Sequence, residues 1–131
     1  MARRLISSGG PWEAIAGYSR AVVVEDACWV SGTTDAGPDG RSRHPGDAGE
    51  QARAALEIVG QALEEAGFAM TDVVRTRIFV TSMADDAGPV LAIHGEIFGA
   101  IRPAATIVEV TSLIEPSLLV EIEAEARREA G

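Results

Sequence analysis

The chain has 131 residues, of which 47% are hydrophobic and 24% are charged, and its formal net charge is −9. This composition is typical of one globular domain and excludes a disordered chain. The acidic balance disfavours binding to nucleic-acid phosphates, and no apolar run is long enough to span a membrane. We therefore expect a single domain over residues 1–131, located in the cytoplasm because the sequence shows no export signal.

The first third of the chain predicts strands and loops. Residues 1–6 predict a first strand, and the glycines and proline of residues 7–20 predict a loop. Two hydrophobic runs, 19–26 and 27–34, predict a hairpin. Residues 34–47 are rich in glycine and proline and predict a second loop.

The clearest predicted element is an amphipathic helix from Asp47 to Gly67. Its apolar residues recur at steps of three and four, Asp47 and Glu50 form a capping-box pattern, and Gly67 suits the C-terminal cap. Residues 71–82 alternate in character and predict a strand. One face of that strand is expected to carry Val74, Thr76, Ile78 and Val80.

The last part of the chain predicts a second helix and two strands. The helix is expected from Asp85 or Asp86 to Gly99, with Pro89 in its first turn. Residues 104–113 and 117–127 predict the strands. The order β-β-β-α-β-α-β-β indicates an α+β fold with a six-stranded sheet and two helices on one face. The bare face favours closure by another copy of the chain.

Strong catalytic signatures are absent from the sequence. There is no glycine-rich phosphate loop, no zinc-ligand spacing and no nucleophile elbow, and two histidines are few for a histidine-based metal site. Neither a metal nor an organic cofactor is therefore expected. The remaining candidates are polar residues near strand and helix ends: Tyr18, Arg20, Ser31, Gly32, Arg75, Arg77, His94, Arg102, Glu109 and Glu121.

In combination, the segments GYSRAV, VSGT, VVRTRIFVT, RPA, VEV and LVEIEAEA resemble the Rid (YjgF) family over almost the whole chain. The resemblance implies a chorismate-mutase-like fold, a homotrimer with its sheets packed into a central barrel, and small-molecule clefts between subunits. Active members of the family hydrolyse reactive enamines and imines to keto acids and ammonia. The partners implied are further copies of the chain and a small carboxylate- or carbonyl-bearing metabolite, with no nucleic acid and no membrane.

The resemblance also implies roles for particular residues. Glu121 and Tyr18 match catalytic residues of the family, and Ser31 and Gly32 match residues that line the cleft. The arginine that binds the substrate carboxylate does not match, because the last residue of the family's PAR motif is Ala105 here. Alanine offers none of the charge-assisted hydrogen bonds of a guanidinium. The chain therefore resembles a branch of the family that lacks this arginine.

Three other residues are candidates to bind the substrate, each with an alternative interpretation. Arg102 either replaces the missing clamp, pairs with a helix carboxylate such as Glu96, or is simply solvated. Arg20 stands where the family has a glutamine, and it is either a cation in the cleft or a solvated residue at a strand end. His94 is either a packed, hydrogen-bonded helix residue or an acid–base group near the cleft.

Two acidic positions also have alternative interpretations. Glu121 belongs to a solvated face with Glu123 and Glu125 if the sheet stands alone, and it belongs to a cleft if the chain is a trimer. Glu109 lies in an apolar run and is interpreted as structural, with an arginine across the sheet as a possible partner.

The sequence thus predicts a Rid-like homotrimer that binds a small molecule and adds water to imines, enamines or related reactive metabolites. The alternative is a non-catalytic metabolite-binding or partner-regulating protein on the same scaffold, which the missing arginine favours. A ribonuclease, as some members of the family are labelled, is disfavoured by the acidic charge and by the lack of a histidine pair.

Overall fold

The computed structural model describes residues 3–129, which form one six-stranded mixed sheet with three α-helices. The strands are β1 (Arg4–Ile6), β2 (Ala21–Val24), β3 (Ala27–Thr33), β4 (Val73–Val80), β5 (Ala104–Glu109) and β6 (Val120–Arg127). The helices are α1 (Pro11–Ala16), α2 (Ala48–Glu65) and α3 (Met83–Phe98), and a 3-10 turn over Met70–Asp72 leads into β4. The α+β fold predicted from the sequence is confirmed.

The sheet has the strand order β1-β2-β3-β6-β4-β5. Strands β4 and β5, which α3 connects in sequence, pair in parallel, and the other neighbouring strands pair antiparallel. The long helices α2 and α3 pack on one face, as expected, and the residues of β6 that point at them are buried: Val120, Ile122, Ala124 and Ala126. The opposite face, which we call the open face, carries Glu121, Glu123 and Glu125 and the 43%-exposed Trp29.

Helix α2 begins and ends close to the predicted residues. Asp47 Oδ1 accepts a hydrogen bond from the Glu50 backbone N–H at 3.1 Å, which is one half of the predicted capping box. The other half is not formed, because the Glu50 carboxylate pairs with Arg53 instead. After the helix, Gly67 adopts a left-handed φ of 86°, and Phe68 N–H closes the end by donating to Leu63 O at 2.8 Å.

The prediction of a loop over residues 7–20 is wrong, because α1 lies within it. Pro11 occupies the start of the helix, where its missing N–H costs nothing. Gly17, with φ of 78°, ends the helix by donating its N–H to Glu13 O at 2.9 Å. The proline and glycine that suggested a loop are therefore the start and stop signals of a short helix.

Two local predictions also need correction. Ser82 Oγ accepts from Asp85 N–H at 3.2 Å, so α3 begins at Met83 and Pro89 lies inside the helix, beyond its first turn. In β4 the register shifts next to Val73, which is buried, while Val74 is 45% exposed. Val74 thus does not share the buried face of Thr76, as the simple alternation predicted.

The remaining strands differ from their predictions mainly in where they begin and end. Strand β5 ends at Glu109, well before residue 113, and β6 begins at Val120 instead of residue 117. Of the first predicted strand, residues 1 and 2 lie outside the described part of the chain. Within residues 3–129, no helix combines the length and the apolar character that crossing a membrane requires.

Candidate functional site

The first group of candidate residues lies around the adjoining ends of β2, β3 and β6. We call Tyr18, Arg20, Ser31, Gly32 and Glu121 the open-face cluster. Ser31 N–H donates to Arg20 O at 3.0 Å, and Ser31 Oγ donates to Ser19 O at 2.6 Å. These bonds hold the segment that contains Arg20 against β3, next to the strand that carries Glu121.

Glu121 packs directly over Gly32. A Cβ built on Gly32 would overlap Glu121 Oε2 and would lie 3.0 Å from Glu121 Cδ. No residue with a side chain therefore fits at position 32 while Glu121 keeps this position. The match of both residues to the family's cleft thus corresponds to a physical contact between them.

Arg20 brings a cation to the same place. Its Nη2 donates to Gly32 O at 2.6 Å, and its buried Nε has no hydrogen-bond partner among the described residues. Burial raises the pKa of the Glu121 carboxyl above its usual value, Glu123 raises it further, and the Arg20 guanidinium opposes the shift. A carboxyl group with a raised pKa is suited to accept and return a proton.

Tyr18 is 43% exposed, and its position depends on a residue that the sequence did not indicate. Its backbone N–H donates to Glu13 O at 3.0 Å. The carboxylate of Glu13 is buried and accepts from Ser7 Oγ and from Ser8 N–H and Oγ. Burial alone would raise the pKa of Glu13, but these hydrogen bonds, with Ser8 first, lower it. An acid in the first turn of a helix was the available signal, but α1 itself was not recognised.

The second group lies on the helix-covered side of the sheet, at the C-terminal end of α3. A cavity of about 290 Å³ opens there, and we call it the helix-side cavity. It contains two of the predicted substrate-binding residues, His94 and Arg102, and its lining consists of His94, Gly95, Phe98, Gly99, Arg102 and Pro103.

His94 is a packed, hydrogen-bonded helix residue, as one of its two interpretations held. Its Nε2 lies 2.9 Å from Oγ1 of the fully buried Thr76, and its ring centroid lies 4.7 Å from that of Phe98. Burial lowers the pKa of His94, which favours the neutral imidazole at pH 7. Because His94 also lines the cavity, the second interpretation stays open. Thr76 was not recognised as its partner.

Arg102 presents its side chain from an unusual backbone conformation. Its φ is 58°, and its N–H donates to Phe98 O at 2.8 Å, so it closes the end of α3 just before Pro103. The predicted pairing with Glu96 is wrong, because Glu96 pairs with Arg53 at 3.0 Å. The Arg102 side chain is exposed and forms no ion pair within residues 3–129.

Two other charged residues near these groups have structural partners. Arg77 lies 3.1 Å from Glu125 and 3.6 Å from Glu123 on the open face. Glu109 accepts from the Met83 backbone N–H at 2.8 Å and thereby supports the start of α3, instead of pairing with an arginine across the sheet.

Within a single chain, the two groups of candidate residues do not come together. Glu121 pairs with Phe79 in the β4–β6 register and points away from the helices, because its neighbours Val120 and Ile122 are fully buried beneath them. Thr76, which contacts His94, points towards the helices. The sheet therefore separates the open-face cluster from the helix-side cavity. Within the described residues, no group of three His, Cys, Asp or Glu side chains comes together to hold a metal ion.

Comparison with known proteins identifies relatives over nearly the whole chain. The model of the family described as Endoribonuclease L-PSP matches residues 10–128. The crystal structure of Rv2704 from Mycobacterium tuberculosis, a member of the YjgF/YER057c/UK114 family, is 44% identical, with a TM-score of 0.87 and coverage of 97% of this chain and 100% of that one.

Two further relatives carry functional or family names. The 2-iminobutanoate/2-iminopropanoate deaminase of Rattus norvegicus is 35% identical over 93% of this chain and 88% of its own. The crystal structure of the YjgF gene product of E. coli is 31% identical, with a TM-score of 0.81 and coverage of 96% and 99%. The chain therefore belongs to the YjgF/Rid family, and the resemblance read from its sequence is confirmed.

Proposed function

We propose that this member of the YjgF/Rid family is a hydrolase that adds water to the C=N carbon of small 2-imino acids or to related reactive, conjugated carboxylates. The observation that carries the proposal is the Glu121 carboxyl, which packs over Gly32 next to the guanidinium of Arg20. A relative that is 35% identical is named as a deaminase of 2-iminobutanoate and 2-iminopropanoate.

The proposed reaction needs one group that moves a proton. Water attacks the carbon of the protonated imine through its oxygen while Glu121 accepts a proton from it, which leaves a carbinolamine. Glu121 then returns that proton to the nitrogen, the C–N bond breaks as the C=O bond forms, and the departing ammonia takes the hydroxyl proton, so that the products are a keto acid and ammonium. A carboxyl group whose pKa is raised by burial holds and returns that proton at a higher pH than a solvated one. Tyr18, Ser31 and Gly32 would line the site and orient the substrate.

The separation of the two groups by the sheet supports an intersubunit cleft. The open face carries exposed apolar side chains, including Trp29 and Val108, which a second copy would cover in a homotrimer. In such a trimer the open-face cluster of one subunit would lie against the helix-side cavity of the next. The complete site would then contain residues from two copies.

The substrate carboxylate would bind to a cation other than the usual family arginine. Ala105 lies on the edge strand β5, is exposed, and carries no charge. Arg102 is exposed and lines the helix-side cavity, and Arg20 lies next to Glu121. We assign Arg102 the role of the clamp, because Arg20 already donates to Gly32. His94 would face the same ligand.

The second candidate function is a metabolite-binding or partner-regulating protein without turnover. Ala105 favours it, since loss of a bidentate guanidinium weakens the positioning of a carboxylate substrate. Binding to RNA is disfavoured by the net charge of −9, although the family model carries the name of an endoribonuclease. The absence of RNA binding at low salt would confirm this. Location in the cytoplasm stays a prediction from the sequence.

The deciding experiment measures the release of keto acid and ammonia from imines that an amino-acid oxidase generates in situ. The wild type is compared with Glu121→Ala and Arg102→Ala, and Arg41→Ala, which changes an exposed loop arginine, serves as the control. We expect the wild type and the control to accelerate hydrolysis, and Glu121→Ala to lose about a hundredfold or more of that acceleration. Arg102→Ala should lose activity mainly through a higher KM. A wild type that matches buffer alone would reject the hydrolase and favour the binding protein.

A further inference from the structure

Gln51 is a fully buried polar residue of α2, and all the hydrogen bonds of its side chain go to the backbone of other segments. Its Nε2 donates to His44 O at 3.1 Å and to Ser117 O at 3.0 Å, and its Oε1 accepts from Leu119 N–H at 2.8 Å. Only one orientation of the amide satisfies these partners, because two of them are acceptors and the third is a donor. The side chain thus connects segments that are far apart in sequence.

One of these segments leads directly into the strand that carries Glu121. Leu119 is held on two sides, because its N–H donates to Gln51 and its carbonyl accepts from Thr81 N–H at 3.1 Å. Leu118, next to it, is buried in the core. Glu121 follows two residues later and has no free space on the side of Gly32. A displacement of Leu119 would therefore reach the carboxylate of Glu121.

The other segment is the loop that continues from Gly32. Asp35 is 1% exposed, and its Oδ2 accepts from Ser42 Oγ at 2.8 Å and from the N–H groups of Arg43 and His44 at 3.1 Å each. His44 Nδ1 lies 3.1 Å from the same oxygen. The loop is folded tightly around this carboxylate, and the carbonyl of His44 then accepts from Gln51.

We propose that Gln51 is a positioning residue that sets the spacing between Gly32 and Glu121. It joins the loop that follows Gly32 to the segment that precedes Glu121, and all its partners are backbone groups. Its expected effect on turnover rests on the proposed function, in which Glu121 moves the proton. Its effect on the environment of Glu121 does not depend on turnover.

The test compares Gln51→Leu with Gln61→Leu, which makes the same change at an exposed position of the same helix. We expect Gln51→Leu to lower kcat about ten- to a hundredfold with KM nearly unchanged, because misplacing a reacting group slows the chemical step. Gln61→Leu should behave as the wild type. A folded Gln51→Leu protein with the wild-type kcat would overturn the inference.

A second readout separates this inference from the proposed function. The pH titration of Glu121 is followed by carbon-13 NMR of labelled glutamate carboxyls, with Glu121→Gln used to assign the signal. In Gln51→Leu the midpoint should move towards the ordinary value of glutamate, and in Gln61→Leu it should stay. If neither the wild type nor any variant shows turnover but Gln51→Leu shifts the titration midpoint of Glu121, the positioning role of Gln51 is supported and the proposed hydrolase function is rejected. An unchanged midpoint in folded Gln51→Leu overturns the positioning role.

A measurement on the wild type covers the case in which Gln51→Leu does not fold. Hydrogen exchange of the Leu119 amide should be as slow as that of the paired amides of β6, because the bond to Gln51 protects it. Exchange as fast as that of the exposed loop around Asp39 would overturn the inference.

Discussion

The open-face cluster and the helix-side cavity differ in how firmly the chain holds their functional groups. In the cluster, the Arg20 guanidinium is bonded to Gly32 O and Glu121 has no room to move on the side of Gly32. In the cavity, Arg102 is exposed and has no ion-pair partner within residues 3–129, and Ala105, on the edge strand that follows, contributes no charge. The groups assigned to the chemical step thus lie on the inner strands β3 and β6. Backbone hydrogen bonds to a neighbouring strand on each side fix the positions of these two strands.

The groups assigned to ligand recognition lie at the edge strand β5 and at a helix end. Ala105 can change without disturbing the core, because it is exposed on the edge strand. Under the proposed function, the chain therefore holds the group that moves the proton more firmly than the groups that bind the substrate carboxylate. The following predictions test each side of that difference.

The largest effect is expected from Gly32→Ala. The added methyl group would overlap the Glu121 carboxylate and force it out of position. We expect hydrolytic activity to fall about a hundredfold, because the reacting group is displaced. The measurement is the steady-state rate of imine hydrolysis, together with the position of Glu121 in a crystal structure of the variant.

Gly88→Ala is the matched control for Gly32→Ala. A Cβ at Gly88 meets nothing within 4 Å, and the residue lies inside α3, away from both groups. This variant should keep full activity, and we expect no gain in stability, because alanine directly before Pro89 is disfavoured in the helical conformation. If Gly32→Ala kept the same activity as this control, the contact between Gly32 and Glu121 would not be what holds the reacting carboxylate in position.

A smaller effect, and a gain, is expected from Ala105→Arg. Position 105 is exposed on β5, so an arginine enters without a cost in the core. If recognition is what the chain has lost, the KM for 2-imino acids should fall about tenfold through charge-assisted hydrogen bonds. Ala105→Gln, which is long and polar but uncharged, should show little of this gain. Equal effects of the two variants would contradict a missing clamp.

The sequence predicted most of the scaffold because its long elements carry strong periodic patterns. The apolar steps of α2 and the alternation of β6 each indicated the face that is buried. The predictions failed for short elements, because the local sequence signals there are consistent with two different structures. The proline and glycine around α1 resemble loop breakers, and a single extra residue near Val73 reverses the faces of β4 at that point.

The resemblance predicted the candidate residues one by one, but their arrangement required the structure. Resemblance indicated Gly32 and Glu121, and the structure shows that they are in contact. The separation of His94 from Glu121 depends on which face of the sheet each residue occupies, which requires the register of β4 and β6. Gln51 was not found, because a buried glutamine in a helix gives no pattern that a sequence reveals.

The smallest effect concerns stability. Burial, with Glu123 adding to it and Arg20 opposing it, raises the pKa of Glu121 above 4.5, so the folded protein binds this proton more tightly than the unfolded chain. The contribution of Glu121 to stability is fully present below pH 4.5 and is lost as the pH rises through the folded pKa. Glu121→Gln, which stays neutral, should therefore melt at a higher temperature than the wild type at pH 7.

The advantage of Glu121→Gln should shrink as the pH approaches 4, where both proteins are uncharged at this position. Thermal melts over pH 4 to 8 measure it, and Glu57→Gln, which makes the same change on the exposed face of α2, is the matched control. A Glu121→Gln protein that is less stable than the wild type at pH 7 would show that the carboxylate is stabilised and not strained in its site.

The contact between Gly32 and Glu121 also limits how the protein can vary over evolutionary time. Every missense change in a glycine codon adds at least a Cβ, so position 32 has no conservative replacement while Glu121 keeps its place. Ala105 is under no such restriction, since it is exposed on an edge strand. Substitutions along β5 can therefore change the surface of the protein one at a time, while a substitution at Gly32 requires Glu121 to move.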